Sequence, residues 1–447
     1  MKPPSPVLSG HLSVTPIDVD ALSPAHLADW ERLFADQPGP ANPFLAPSWV
    51  LHWYRSYVAP ADQLLLLLRR TATGELVGVA PFYVQHLRIN GVPLAERLLP
   101  VGSGSTSPLE LPGLLADAQS GREVTKALVA ATMAMSPSWC EVVLAPAQCW
   151  FEPEWVFGTG QPVAFYDHQR PRACVVLPLE PTWDQTRSGL KRNVKESIRR
   201  SANRLKKDGR PWQVRARTGP DLDHAAIDRW LDLHRARAAA ERATVHHHDA
   251  YADKGDRRFL KRLLPELAGK QLATLFELEL DGQVVASGLA LHAPGVSYVH
   301  SSGFSPDVWD LGPVALLHTE MVKHAISRGD TVVNFSPGPN VSKLRWSEQL
   351  WVVNDFVYGA GPTSLSWRYR AYLAASAVRS HVQAVAFARA SSTAGPSSTA
   401  VPSSTAVPAP LAAVPALPAA AAVAGGRSPG ASTGAFDSGS QATAARR

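Results

Sequence analysis

The chain has 447 residues, 45% of them hydrophobic, and a formal net charge of +6, a size that accommodates two domains and a tail. No apolar run approaches the roughly 18–20 residues of a membrane span, and the N-terminal segment lacks the apolar stretch of a secretory signal. The three cysteines, Cys140, Cys149 and Cys174, are odd in number and lack metal-ligand spacing, so free structural thiols, a cytoplasmic location and no metal site are expected.

The positive charge is local. Residues 360–447 carry seven arginines against one acid, Asp437, so residues 1–359 are close to neutral. Within that neutral part, 191–210 concentrates nine basic residues against Glu196 and Asp208, a local feature that does not describe the surface as a whole.

In chain order, a first domain is expected over 10–180. Ser23 is placed to cap a helix that runs to Phe34, and Trp- and Tyr-rich 47–57 predicts a second. Strands follow at 64–69 and 76–86 around a Thr73-Gly74 turn, then a helix over 122–135 and a buried strand over 141–144. A second domain is expected over 181–360. It begins with a basic linker helix, 188–207, whose Leu190, Val194, Ile198, Ala202 and Leu205 form an apolar stripe. Helices are predicted over 221–242 and 257–268, and strands over 272–280 and 283–292 pair across Asp281-Gly282. A strand over 296–304 follows the Pro294-Gly295 turn. Gly312-Pro313 then opens a helix with Val314, Leu317, Met321, Ala325 and Ile326 on one face, closed by Arg328-Gly329. Strands at 331–335 and 350–358 end the domain. The two halves repeat one order of elements: two helices, a hairpin, a helix, a strand. Beyond them, 361–390 reads as an Ala-rich helix, and 391–447, with SSTAGP- and SSTAVP-type repeats, as a disordered Ala/Pro/Ser/Thr-rich tail.

The loop that feeds Gly312 has a chemical use. A helix start presents unpaired N–H groups and the positive end of the macrodipole, which favours a phosphate or carboxylate. If the sheet splays beside the preceding strand, free backbone groups there suit an extended acyl carrier. Ser302, Gly303 and Phe304 on the strand, with Leu311, Gly312, Pro313 and Val314 at the corner, are the candidate donor-binding residues.

The pattern G-P-x-x-L-L-x-x-E, then A-x-x-x-G, a strand ending N-F-x-P-G and a following K-x-x-W occupies Gly312, Pro313, Leu316, Leu317, Glu320, Ala325, Gly329, Asn334, Phe335, Pro337, Gly338, Lys343 and Trp346. It resembles the BioF2-like branch of the GNAT acyltransferases, the cellulose- or exopolysaccharide-biosynthesis acetyltransferases related in fold to Fem-type aminoacyltransferases. Asn42, Pro43, Phe44, Pro47, Trp49 and Trp53, with Gly78 and Pro81, resemble the start of the same family. The resemblance implies an α/β (α+β) fold of two tandem GNAT-like halves around a cleft. Asn334 and Ser342 depart from the family's usual aspartate and tyrosine, and Asp310-Leu311-Gly312 lacks its glycine-rich pyrophosphate loop.

By that resemblance Lys343 faces the cleft and holds a phosphate or an oxyanion. His300, on the strand face it shares with Tyr298 and Ser302, and Glu320, on the Gly-Pro helix, are the candidate bases. Tyr298, Asn334 and Trp346 are the candidate substrate contacts. His246-His247-His248-Asp249 lacks an evident fourth ligand at a familiar spacing and reads as a loop. The expected function is transfer of an acyl group, acetyl foremost, from acyl-CoA to an amine or hydroxyl of a sugar or cell-envelope precursor. Two alternatives stand beside it: a Fem-type aminoacyl-tRNA-dependent transferase with 191–210 as its polyanion or tRNA contact, and a non-catalytic glycan-binding module.

Overall fold

A computed structural model describes residues 7–37, 41–89, 92–103, 108–135, 139–145, 166–240 and 249–359, with the isolated positions 371 and 374. The expected helix over 361–390, the tail over 391–447, Cys149 and His246 to His248 lie outside these residues. The described residues all belong to one compact unit.

The first half contains strands β1 (Val7–Ser9), β2 (Leu12–Ile17), β3 (Gln63–Arg70), β4 (Leu76–Ile89), β5 (Val92–Pro100), β6 (Leu115–Ala116) and β7 (Trp139–Leu144) and helices α1 (Pro24–Ala35), α2 (Pro47–Tyr57) and α3 (Gly121–Met135). The second contains β8 (Tyr166–Pro178), α4 (Trp183–Gly189), α5 (Arg192–Asp208), β9 (Trp212–Arg217), α6 (His224–Ala238), α7 (Lys254–Gly269), β10 (Ala273–Leu280), β11 (Gln283–Ala293), β12 (Val296–Phe304), α8 (Pro313–Ser327), β13 (Val332–Pro337), α9 (Val341–Leu344) and β14 (Leu350–Tyr358). Local chemistry sets several boundaries. Ser23 and His26 form a capping box for α1. Gly209, with φ of +82°, ends α5 in the left-handed conformation. The helix expected over 221–242 starts later, because 219–221 forms a 3-10 turn and the Asp223 side chain caps the backbone N–H of Ala226.

The described strands join in one hydrogen-bonded sheet in the order β1-β2-β3-β4-β5-β7-β14-β8-β13-β12-β11-β10-β9, with β6 beside β4. The repeated element order has a repeated topology. In the first half the β4–β5 hairpin leads through α3 to β7, parallel to β5. In the second, the β11–β12 hairpin leads through α8 to β13, parallel to β12. The last strand does not stay in its own half: β14 lies between β8 and β7 and pairs antiparallel with both.

One apolar core runs through both halves. Trp49 packs against Phe259 with ring centroids 5.6 Å apart, and Phe44 against Tyr298 at 6.3 Å. Polar bonds reinforce this join: the Tyr57 hydroxyl donates to Asp256 Oδ1 at 2.6 Å, and Ser48 and His52 both reach the Glu266 carboxylate. Two further cores lie under α3 and under α8. Edge strand β9 is polar, and Arg215 and Arg217 pair across to the buried carboxylates Glu279 and Glu277. No helix among the described residues is long and apolar enough to cross a membrane.

Candidate active site

Strands β12 and β13 pair only through Val296–Val332, Ser297–Val333 and Tyr298–Asn334. Beyond Tyr298 the two strands part, and a cavity of about 520 Å³ opens in the fork. The separation has local causes on both strands. On β12 the register against β11 shifts between Leu289 and Ala290, where His300 is the extra residue. A bulge of this kind re-aims the side chain it carries. On β13, Ser336 takes a φ of +66°, costly for a residue with a Cβ. Two bonds hold it there: its N–H donates to Asn334 Oδ1 and its hydroxyl to the Val299 carbonyl, both at 2.8 Å.

The second wall comes from α8 and α5. Gly312, with φ of +66°, turns the chain into α8. Its carbonyl accepts from the Ser201 hydroxyl at 3.0 Å, and a Cβ here would lie 2.6 Å from that oxygen. The basic helix therefore seats against the corner and covers part of it. Val194, Ser197 and Ile198 of α5 line the cavity opposite Gly312, Pro313, Val314 and Ala315. Beneath them Trp346, Phe335 and His318 stack, with centroids 5.5–6.0 Å apart. Burial pushes the His318 pKa down to about 3, with Arg237 and Lys343 adding to the shift, so this imidazole is neutral.

Charge in the cavity has one sign. Arg237, Lys343 and Arg345 line it, and no carboxylate does among the described residues. Arg237, from α6, donates to the carbonyl of Ser302 at 3.0 Å and to its hydroxyl at 3.1 Å, and its guanidinium lies 5.3 Å from the Phe304 ring centroid. Lys343 is half-buried, and its Nζ donates to the carbonyls of Pro337 at 2.7 Å and Ser336 at 3.3 Å. Burial lowers its pKa, while the Glu110 charge opposes that shift.

His300 sits at the cavity's inner end with its side chain 2% exposed. Phe44, Trp49 and Tyr251 surround it, with ring centroids 5.8–6.5 Å away. Its Nδ1 is 3.4 Å from Oε1 of Glu110, at ion-pair distance. Neither ring nitrogen has a hydrogen-bond partner among the described residues. Glu110 belongs to the first half, on a loop fixed by Asn42 Nδ2 donating to the Leu111 carbonyl at 2.9 Å.

The structure thus brings His300, Ser302, Phe304, Gly312, Pro313, Val314, Lys343 and Trp346 to one cavity. The other sequence-derived candidates lie elsewhere. Glu320 faces along α8 and holds Lys323 Nζ at 2.7 Å. Gly303 packs on the backbone of α6, where a Cβ would be 2.2 Å from the His234 nitrogen. Leu311 packs into the second-half core. Tyr298 is 1% exposed and donates to the Ala41 carbonyl at 3.1 Å. Asn334 is wholly buried and supports Ser336. Neighbouring Cys174 is an unreactive thiol, its pKa pushed up to about 12 by burial. Sequence reasoning missed Arg237 and Glu110. A basic residue near the end of a helix and a lone loop acid carry no local signal.

Residues 192–344 match the family profile described as "Acetyltransferase (GNAT) domain". No curated protein matches the sequence significantly. Among solved structures, FemX superposes with a TM-score of 0.54 at 12% identity, over 74% of this chain and 96% of that one. A conserved protein of unknown function from Bacteroides thetaiotaomicron superposes with a TM-score of 0.50 at 13% identity, over 77% of this chain and 98% of that one. The chain therefore has a mixed α/β, GNAT-type acyltransferase fold.

Proposed function

We propose that the protein transfers an acyl group, acetyl foremost, from acyl-CoA to an amine or hydroxyl of a sugar or cell-envelope precursor, in the manner of the BioF2-like acetyltransferases it resembles. The observation that carries this reading is the β12–β13 fork, open onto a cavity whose charged lining among the described residues is wholly cationic. An acyl-CoA fits these residues, because its phosphates are anionic and its thioester arm is slender. The thioester supplies the activated carbonyl. Arg345 and the start of α8 at Gly312 to Val314 hold the anionic end, Ser302 and Phe304 flank the arm, and Trp346 excludes water from the acyl end. Lys343 stabilises the negative charge that develops on the carbonyl oxygen. His300, aimed by its bulge, takes the proton from the attacking acceptor atom. The new bond forms to the acyl carbon as the carbon–sulfur bond breaks, and the proton passes from His300 to the departing sulfur.

Calorimetric titration of the full chain with coenzyme A and acetyl-CoA tests the donor. Saturable binding that weakens in Arg345→Ala is expected. No binding, with no coenzyme in native mass spectra, refutes the reading. Acceptor binding without acyl transfer from any donor would instead identify a non-catalytic module.

A second reading has its own observation. Arg192, Arg199, Arg200, Arg204, Lys206 and Lys207 are exposed along α5, a surface that suits a polyanion such as the tRNA of a Fem-type aminoacyl donor. Tight tRNA binding that falls steeply with salt and is lost on neutralising those side chains would favour it.

A further inference from the structure

The positive charge of 191–210 is concentrated on one side of one helix. Helix α5 turns Val194, Ser201 and Leu205 inward. At about 100° per residue, Arg192, Arg199, Arg200, Lys206 and Lys207 fall on the opposite side, and all five are exposed. One acid shares that side, Glu196, and its carboxylate is occupied by Arg199 and Arg200. The result is a cationic strip about 25 Å long.

The ends of the strip carry a second signal. The large apolar side chains that stand exposed among the described residues are Trp212, Val341, Leu350 and Val352, at 41–70%. Trp212 follows the C-terminus of α5 by four residues. At the other end, Lys191 Nζ donates to the Leu344 carbonyl of α9 at 2.9 Å and pairs with Glu348 at 2.6 Å. That contact brings the start of α5 beside Val341 on α9 and beside the first residues of β14, where Leu350 and Val352 share one face of the strand. A strip that serves only to hold a polyanion needs no aliphatic neighbours. A helix that lies on a bilayer combines Lys and Arg with Trp and aliphatic side chains that enter the headgroup region.

We propose that α5, with Trp212 at one end and Val341 and Leu350 at the other, docks the protein on a bilayer surface rich in anionic phospholipid. The cations meet the lipid phosphates, each strengthening binding about fivefold, and the apolar side chains enter the headgroup layer. The same helix walls the cavity through Val194, Ser197 and Ile198, so docking holds the cavity within about one helix diameter, roughly 10 Å, of the lipid. This goes beyond the acyl-transfer reading and does not depend on it. Joined to that reading, it directs the reaction to acceptors carried at the membrane surface.

The test is co-sedimentation of the full chain with vesicles of equimolar phosphatidylglycerol and phosphatidylcholine, and with vesicles of phosphatidylcholine alone. Wild type is expected to bind the anionic vesicles at least about tenfold more tightly than the neutral ones. Changing Arg192, Arg199, Arg200, Lys206 and Lys207 together to Gln should abolish the preference, and Arg192→Gln alone should weaken binding about fivefold. Trp212→Ser and Val341→Ser keep every charge and should each weaken binding at least about threefold. Val341→Ser, at the more exposed position, carries this arm if the Trp212 variant is unstable. Equal binding to the two kinds of vesicle overturns the proposal. So does unchanged binding in the five-Gln variant, which would assign the lipid contact to the seven arginines of 360–447. Full binding by both serine variants, with tRNA displacing the vesicles from α5, overturns it in favour of a site for polyanions in solution.

Discussion

The hydroxyl of Ser336 donates to the carbonyl of Val299 at 2.8 Å, and this bond spans the fork at the point where β12 and β13 separate. It satisfies a buried carbonyl that would otherwise have paired with a neighbouring strand, so the sheet opens without leaving that acceptor bare. The positive φ of Ser336 is what brings the hydroxyl into reach.

Substitution at Ser336 separates strain from bonding. Ser336→Ala keeps the unfavourable φ and loses the bond, with a cost of about 1–3 kcal/mol for the unmet buried acceptor. Ser336→Gly loses the same bond but relaxes the backbone by roughly 1 kcal/mol. The expected order of stability is wild type, then glycine, then alanine. Denaturant unfolding of the three proteins checks it.

Lys343 ties the β13–α9 loop to itself through two carbonyls, so its removal acts on structure as well as on chemistry. Lys343→Met should lower turnover at least about a hundredfold, the scale of losing one oxyanion-stabilising donor. Its stability should also lose pH dependence at alkaline pH. Burial holds the folded-state pKa below the ordinary lysine value of 10.5, so between the two values the unfolded chain binds more protons and stability rises with pH. Unfolding curves from pH 8 to 10.5 should rise more steeply for wild type than for the methionine variant.

His318 gives the same sign in acid. Burial lowers its folded pKa to about 3 from the ordinary histidine value of 6.5, so the protein loses stability as pH falls through that window. His318→Gln cannot titrate and should lose less stability between pH 7 and pH 5 than wild type. Equal losses in the two proteins would show that the imidazole is not buried as described.

Glu320 provides a contrast inside the family-like motif. Its carboxylate is 38% exposed and bound to Lys323, which lies 5.8 Å from the Trp183 ring centroid. An exposed pair of this kind contributes roughly 0–1 kcal/mol. Glu320→Gln should keep turnover within about twofold of wild type and stability within about that range. A loss of turnover as large as that of Lys343→Met would return Glu320 to the chemistry.

Much of the second half was legible because its signals are local. The Gly-Pro start of α8, the hairpin over β10 and β11, and the apolar stripe of α5 each depend on neighbours in sequence. The site was legible where a local motif marks it, as at Gly312 and Pro313 before α8 and at Lys343 and Trp346 in the K-x-x-W segment. Other features depend on partners far along the chain. The bulge at His300 exists only in register with β11, and Glu110 meets His300 across 190 positions. Strand β9 went unread because it is an exposed edge rich in arginine, stabilised by acids on β10. The interleaving of β14 with β7 and β8 has no sequence signal, because pairing between distant strands is decided by the assembled sheet.

Gly303 was expected at the donor, yet its role is steric. Helix α6 approaches β12 so closely that a Cβ would lie 2.2 Å from the backbone nitrogen of His234 and 2.4 Å from the Leu233 carbonyl carbon. Backbone atoms cannot move aside as a flexible side chain can, so Gly303→Ala must push the helix off the strand. That displacement also carries Arg237 away from the Ser302 carbonyl and hydroxyl, which it holds at 3.0 and 3.1 Å. The expected cost is about 1–3 kcal/mol or more from overpacking, together with weaker coenzyme binding. Gly269→Ala, in open space at the end of α7, is the control and should unfold within about 0.5 kcal/mol of wild type. Melting and coenzyme titration of both variants check the pair, and a Gly303→Ala protein that matches wild type in both would show that the helix does not press on the strand.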